Sequence, residues 1–350
     1  MKYFFFLAII SFFLSCNKKV IEPLDSAKDC ISAHTEKHID FLPKPMEPYP
    51  SKTPAWKEFE HIFPHWYYNR IIFNPKDGNE IAFHRTYYKK QDPKNGTNEL
   101  CIYNFCRDEL TVVTNDINYD LDWSSTGWFI FVGRDNNIWK VKSNGDSLTQ
   151  LSFKGLHNSA PCWSEDGSKF IFGSEREGSA FVFIADNKGQ IVDTIYSRAR
   201  GDDQWLSGLN FKWIGDSIYI DIGANTAYMG ILDLNTKEFT KIRVVPSPWG
   251  CVGWKRYDKA SNSVIWIGKK DGFANILGST NLKTKETMIL LDKRGLWESF
   301  LICNPSPNGK KIILSKGNFL ESKPLYMKLE VVPYIVDMDG KNERRILISE

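Results

Sequence analysis

Among the side chains in this chain that could act as bases, nucleophiles or metal ligands are six histidines, His34, His38, His61, His65, His84 and His157, and seven cysteines, Cys16, Cys30, Cys101, Cys106, Cys162, Cys251 and Cys303. Their spacing matches no catalytic signature. The sequence has no Gly-x-Ser-x-Gly elbow, no His-Glu-x-x-His helix, no Cys-x-x-Cys pair and no glycine-rich phosphate loop leading into a helix. Asp116, Asp120 and Asp122 are spaced like ligands of a calcium loop, but the glycine and distal glutamate of an EF-type site are missing. They read as solvated carboxylates at a strand edge. No catalytic residue, metal or cofactor is therefore assigned.

Cys16 offers a different chemistry. An apolar run from Phe4 to Leu14 follows Lys2, is too short to span a bilayer, and ends in Ser15-Cys16 before polar residues. A small residue directly before cysteine resembles a bacterial lipobox, with Leu14, Ser15 and Cys16 matching and Phe13 standing in place of the usual leucine. Residues 1–15 then form a lipoprotein signal peptide, and Cys16 becomes the acylated first residue of the mature chain. Asn17 is not the aspartate that marks inner-membrane retention in some bacteria, so the expected address is the outer membrane, facing the periplasm. Residues 16–62 are polar and then proline-rich, which predicts an extended tether with a closing arm, long enough for the remainder to stand off the membrane.

Stacking is the third chemistry on offer. Trp66, Tyr119, His157, Trp205, Trp249 and Trp297 recur a few residues ahead of a repeated segment, and the elements that position them follow from that segment. In SAPCWSEDGSKFIFGS, residues 159–174, Asp166-Gly167 predicts a tight hairpin with positive φ at both turn positions. Similar segments occur at 71–85, 121–133, 209–223, 252–268 and 302–316. The large residue before each turn, taken as Phe73, Trp123, Trp163, Trp213, Trp254 and Pro305, recurs at intervals of 50, 40, 50, 41 and 51 residues. A second hairpin follows in every unit. Six units of four strands without helical crossovers predict an all-β, six-bladed β-propeller of antiparallel blades over residues 63–350.

Apolar-Trp-Ser-x-Asp-Gly, followed by an apolar strand, an Ile/Val-Trp/Phe strand, Asn/Asp-Gly and a Leu-Thr-like strand, resembles the WD-like propeller repeats of the TolB family. Units two and three carry the pattern best. The resemblance implies a non-enzymatic, lipid-anchored module of the cell envelope that presents a propeller face to an envelope protein or a peptidoglycan-associated partner. The alternative is a propeller enzyme or glycan-binding protein, similar to the oligogalacturonate lyases, which would need clustered histidines and metal ligands in the channel.

Propeller geometry gathers the six aromatic and histidine positions on one face around the central channel, a candidate binding ring; blade packing is the competing reading. Cys162, Cys251 and Cys303 fall at inner strands as small buried hydrophobes. Cys101 and Cys106 flank one hairpin and are the candidate disulfide. A net charge of +3, with basic residues spread through the repeats, gives no stripe for nucleic acid, and a closed ring is expected to be monomeric.

Overall fold

The computed structural model describes residues 29–40, 58–61, 65–89, 92–151, 157–176, 179–199, 210–221, 226–270, 273–294, 296, 298–323 and 326–349. Six antiparallel sheets form a ring, each built on four consecutive strands. The first, innermost strands are His65–Phe73, Ile117–Trp123, His157–Trp163, Asn210–Ile214, Gly250–Asp258 and Glu298–Pro305. Alternation along each strand gives every sheet two apolar faces, so no blade is stable alone and each must be covered by its neighbours. Six core clusters do this, one at each blade interface. Between blades two and three, for example, Ile130, Val132 and Ile138 meet Trp163, Phe170 and Phe172, all at most 4% exposed.

The hairpin in blade three explains the Trp-Ser-x-Asp-Gly pattern residue by residue. Trp163 pairs with Phe170 and packs its ring edge-on against it at 5.6 Å. Ser164 carries the turn: its Oγ accepts the Lys169 N–H at 3.1 Å and donates to Asp166 Oδ1 at 2.6 Å. Asp166 also accepts the Ser168 N–H at 3.0 Å, and these bonds, that from Ser164 foremost, hold its carboxyl down to about 2. Gly167 closes the turn onto the Ser164 carbonyl at 2.9 Å with φ +68°. Positive φ belongs to Gly167 alone, not to Asp166, so the expected two-residue turn is corrected to a wider one spanning Ser164–Lys169. Ser124 to Gly127 and Ser306 to Gly309 repeat the closure in blades two and six.

Blade five corrects the register of the repeat. Its turn-flanking residue is Tyr257, paired with Val264, whereas Trp254 lies three residues earlier in an irregularity of the strand. Corresponding positions in the other blades pair Phe73 with Ile81, Trp123 with Phe129, Trp213 with Ile218 and Pro305 with Ile312.

Ring closure recruits the amino-terminal segment. Thr35–Lys37 adds to the outer edge of blade six beside Arg344–Ile346, and Glu58–His61 runs parallel to Tyr326–Asp337 of the same blade. Cys30 and Ile31 are buried in the cluster at the seam of blades one and six. A disulfide joins Cys30 to Cys106, while Cys101 is a free, fully buried thiol. The expected Cys101–Cys106 bridge is therefore corrected. Cys101 is buried in the seam cluster and pairs with Val112 across the hairpin, while Cys106, in the turn itself, is bonded to a residue 76 positions away. Residues 41–57, which hold five of the six prolines of residues 16–62, lie outside the described residues, as does Cys16 with the signal segment.

Candidate functional site: the central channel

The inner strands do not run straight through the ring. Five of them shift register part-way, at Asn69/Ile71, Tyr119/Leu121, Ser159/Cys162, Cys251/Lys255 and Phe300/Ile302. At four of these bulges a non-glycine residue has positive φ: Arg70 (+37°), Asp120 (+46°), Ala160 (+50°) and Trp254 (+51°). Such conformations cost of order 1 to 3 kcal/mol each and persist only when surrounding contacts fix them. Side chains from neighbouring blades supply those contacts. Asp120 and Asp122 accept the N–H groups of Ala160 and Trp163 at 2.8 Å, Asp221 accepts that of Lys255 at 3.0 Å, and Asn304 donates to the Ile71 carbonyl at 2.6 Å. Asp120 is thus a buried inter-blade link and Asp122 is half-buried, which corrects their reading as solvated edge carboxylates.

The bulges turn a layer of polar side chains across the channel. Asn210 Oδ1 accepts from Arg70 Nη1 at 2.9 Å and from Arg256 Nη2 at 3.0 Å. Arg256 Nε donates to Asn304 Oδ1 at 3.0 Å, and Arg70 is ion-paired with Asp120. Both guanidinium groups lie over the Trp254 ring, at 3.8 and 5.0 Å. Desolvation pulls the Arg70 guanidinium down to about 10, with Asp120 opposing and Arg256 adding to the shift. It stays charged at neutral pH.

Above this floor the channel widens into a cavity of about 330 Å³ that opens on the side of the turns between first and second strands. Its walls hold Phe73, Trp123, Trp163, Trp213 and Tyr257, with Asp122 and Lys212 between them; Glu165, Asp258 and Lys259 stand at the rim. Lys259 and Glu165 pair at 2.7 Å, and Asp258 accepts from Ser261 and Ala260 of its own turn. Lys212 is exposed and has no ion pair among the described residues.

The described members of the aromatic ring read from the sequence lie toward the opposite face, at the entry ends of the inner strands. Trp66 is half-buried, with Arg85 3.8 Å over its ring and Tyr87 at 4.9 Å. Tyr119 packs between blades two and three and donates to the Asn158 carbonyl at 3.1 Å. Trp249 packs partly between blades four and five, under the Arg294 guanidinium at 5.1 Å. His157 is exposed, and Trp205 and Trp297 lie outside the described residues.

Burial governs the remaining reactive groups. It lowers His84 to about 4, leaving the imidazole neutral, and raises the Cys101 thiol to about 12 and Cys162 higher still. Among the described residues, one group of three metal-donor side chains converges: His38, Glu298 and Glu343, at the junction of the amino-terminal segment with blade six. A cation already fills its centre. The Lys316 ammonium lies 2.8 Å from Glu298, 2.8 Å from Glu343 and 3.2 Å from His38 Nε2, so the three donors form a buried ion network.

No protein-family model matches the sequence, and no curated protein matches it. Solved structures do. TolB from Acinetobacter baumannii superposes with a TM-score of 0.59 at 14% identity, over 77% of this chain and 63% of that one. The chain is a TolB-like β-propeller in fold. A putative TolB from Agrobacterium tumefaciens gives a TM-score of 0.54 at 14% identity, covering 69% of this chain and 86% of that one. An oligogalacturonate lyase in complex with manganese gives 0.54 at 12% identity, over 81% and 78% of the two chains. Identities this low establish the architecture that the TolB-like ring shares with all three, and nothing of their activities. The chain spans less than two thirds of the Acinetobacter protein's length.

Proposed function

We propose that the chain is a lipid-anchored, non-enzymatic binding module of the cell envelope, attached through Cys16, which receives a protein partner or a peptidoglycan-associated one at the mouth of its central channel. The observation that carries this reading is the form of the channel itself: aromatic walls and a polar floor, reached through a rim that bears both signs of charge. The floor residues Arg70, Asp120, Asn210, Arg256 and Asn304 link side chains and backbone from different blades, so they act as rigid scaffold. A ring so braced changes little on docking, and little conformational entropy is lost on its side of the interface.

The test is site-specific photo-cross-linking in cells. A cross-linker at Ser125 or Lys212, by the channel mouth, should capture a discrete adduct, and one at Leu148, exposed far from it, should not. Adducts formed equally from Leu148, or from neither mouth position, would remove the channel from the proposal. For the anchor, Cys16→Ser should shift the protein from the membrane to the soluble fraction or block its processing. Turnover of an acidic polysaccharide by purified protein carrying stoichiometric metal would favour the lyase-like alternative.

A further inference from the structure

The channel floor carries more positive charge than its own carboxylates neutralise. Arg70 has Asp120 as its ion-pair partner, but Arg256 has none among the described residues: it donates to the neutral amide oxygens of Asn210 and Asn304 and lies over the Trp254 ring. A guanidinium has five N–H donors, and these bonds use two of them. The Arg256 Nη1 group makes no hydrogen bond among the described residues, is not among the buried unpartnered atoms, and belongs to a half-buried side chain on the cavity wall. Lys212, one residue before the turn-flanking Trp213, adds a third cation to the same wall. Against these three stand Asp120 and Asp122, each with an oxygen committed to a backbone N–H of blade three, while of the rim carboxylates Glu165 is paired with Lys259 and Asp258 accepts bonds within its own turn. In a narrow, low-dielectric cavity such an excess attracts an anion, and the free edge of a guanidinium fits a carboxylate best.

We propose that the floor of the channel is a carboxylate-binding site, in which Arg256, backed by Arg70 and approached past Lys212, takes a single acidic side chain or chain terminus of a peptide segment entering from the open mouth. The inference rests on the channel mouth being the docking surface proposed above. A peptide suits the approach better than an acidic glycan. At the rim Lys259 neutralises Glu165 and leaves Asp258 to repel a polyanion laid across the mouth, whereas one carboxylate on an apolar stem passes it beside Trp123, Trp163 and Trp213. The cavity of about 330 Å³ admits a side chain and its flanking backbone, and not a folded domain.

The experiment titrates the purified full chain with an acetylated, amidated pentapeptide holding one central glutamate, with its glutamine counterpart, and with digalacturonate, following tryptophan fluorescence and calorimetric heat at low and moderate salt. The expected result is binding of the glutamate peptide, at least tenfold weaker binding of the glutamine peptide, and loss of that difference as salt rises. Arg256→Gln should abolish the preference. Because that substitution also touches the Asn210 and Asn304 bonds, Lys212→Gln serves as the variant on an exposed side chain, with an expected severalfold loss for the glutamate peptide alone. Equal binding of the two peptides would overturn the carboxylate site while leaving the mouth as a docking surface. Binding of digalacturonate without either peptide, or binding of no probe at millimolar concentration, would overturn the peptide carboxylate as occupant; mouth-specific cross-links in cells would then still support the docking surface.

Discussion

Removing the Cys30–Cys106 disulfide should destabilise the ring by an amount set by the chain it closes. The two cysteines are 76 residues apart, and the loop-entropy relation gives about 0.6 plus about 3.9, or roughly 4.5 kcal/mol at 25 °C. In the double variant Cys30→Ala/Cys106→Ala the burial lost is small, since both replaced side chains are short, so the entropy of the opened loop dominates. For a domain of this size about 2 °C of melting temperature is lost per kcal/mol, which predicts a fall of roughly 9 °C. Scanning calorimetry with and without reductant provides the assay. Reduced wild type should fall to the level of the variant, and the variant should not respond to reductant. Alkylation after unfolding without reductant should label Cys101 and leave Cys30 and Cys106 unlabelled. A fall below about 2 °C, or protection of Cys101 together with Cys106, would refute both the pairing and the idea that this segment closes the seam.

Gly167→Val should cost about 1 to 3 kcal/mol in denaturant midpoint, because φ is positive there and the new Cβ would stand 2.7 Å from Thr126 Oγ1 of blade two. Trp163→Ala should cost roughly 3 to 5 kcal/mol, and Ser168→Ala, at the exposed end of the turn, within about 0.5 kcal/mol. Lys255→Met should cost about 3 to 5 kcal/mol by stranding the Asp221 carboxylate, 2.7 Å from the ammonium and 2% exposed; adding Asp221→Leu should recover most of it in a double-mutant cycle. Burial raises the pKa of Glu298, but the His38 hydrogen bond and the Lys316 charge outweigh it and hold the carboxyl at about 2, below its ordinary 4.5. Its contribution is therefore present above pH 4.5 and is lost as pH falls toward 2, and Glu298→Gln should flatten the stability profile across that window.

The sequence made the blades legible because each hairpin announces itself through residues whose roles are local. Trp163, Ser164, Asp166 and Gly167 all act within one turn, and their recurrence set the count of six. The bulges had no such signal: Arg70, Ala160 and Trp254 are not turn formers, Asp120 stands in mid-strand without a turn partner such as glycine, and positive φ is imposed on all four by the ring. Blade five slipped by three residues for the same reason, since Trp254 in the bulge outweighed Tyr257 at the turn as an aromatic landmark. One pattern could have exposed the floor. In the corrected register, the positions one and three before the turn-flanking residue hold Asp122, Lys212, Arg256 and Asn304, and Arg70, Asp120 and Asn210, within strands otherwise apolar. Polar residues two apart in a strand share a face, and at the innermost strand of a blade they border the central channel. The disulfide was beyond local reasoning, because Cys30 sits in a polar stretch that only ring closure brings to blade one.

If the chain is anchored through Cys16 as proposed, the position of Cys30 sets the length of the leash. Its disulfide partner lies in the hairpin between the third and fourth strands of blade one, on the side where the channel opens, and its N–H is bonded at 3.0 Å to Asn79 in the blade's first turn. Asp29, beside it, pairs at 2.7 Å with Lys311 at the first turn of blade six. Only 12 residues, 17–28, then separate Cys16 from the docked Asp29, a reach of at most about 45 Å over the 13 steps when fully stretched. With acyl chains on Cys16 as proposed, the leash leaves the propeller from the side of the open mouth, and Asp40 and Glu58, on either side of the proline-rich stretch, both return to the ring. A partner rooted in the same leaflet by a leash of similar length would come within reach of the mouth, whereas one fixed to a distant layer would have to supply the span itself.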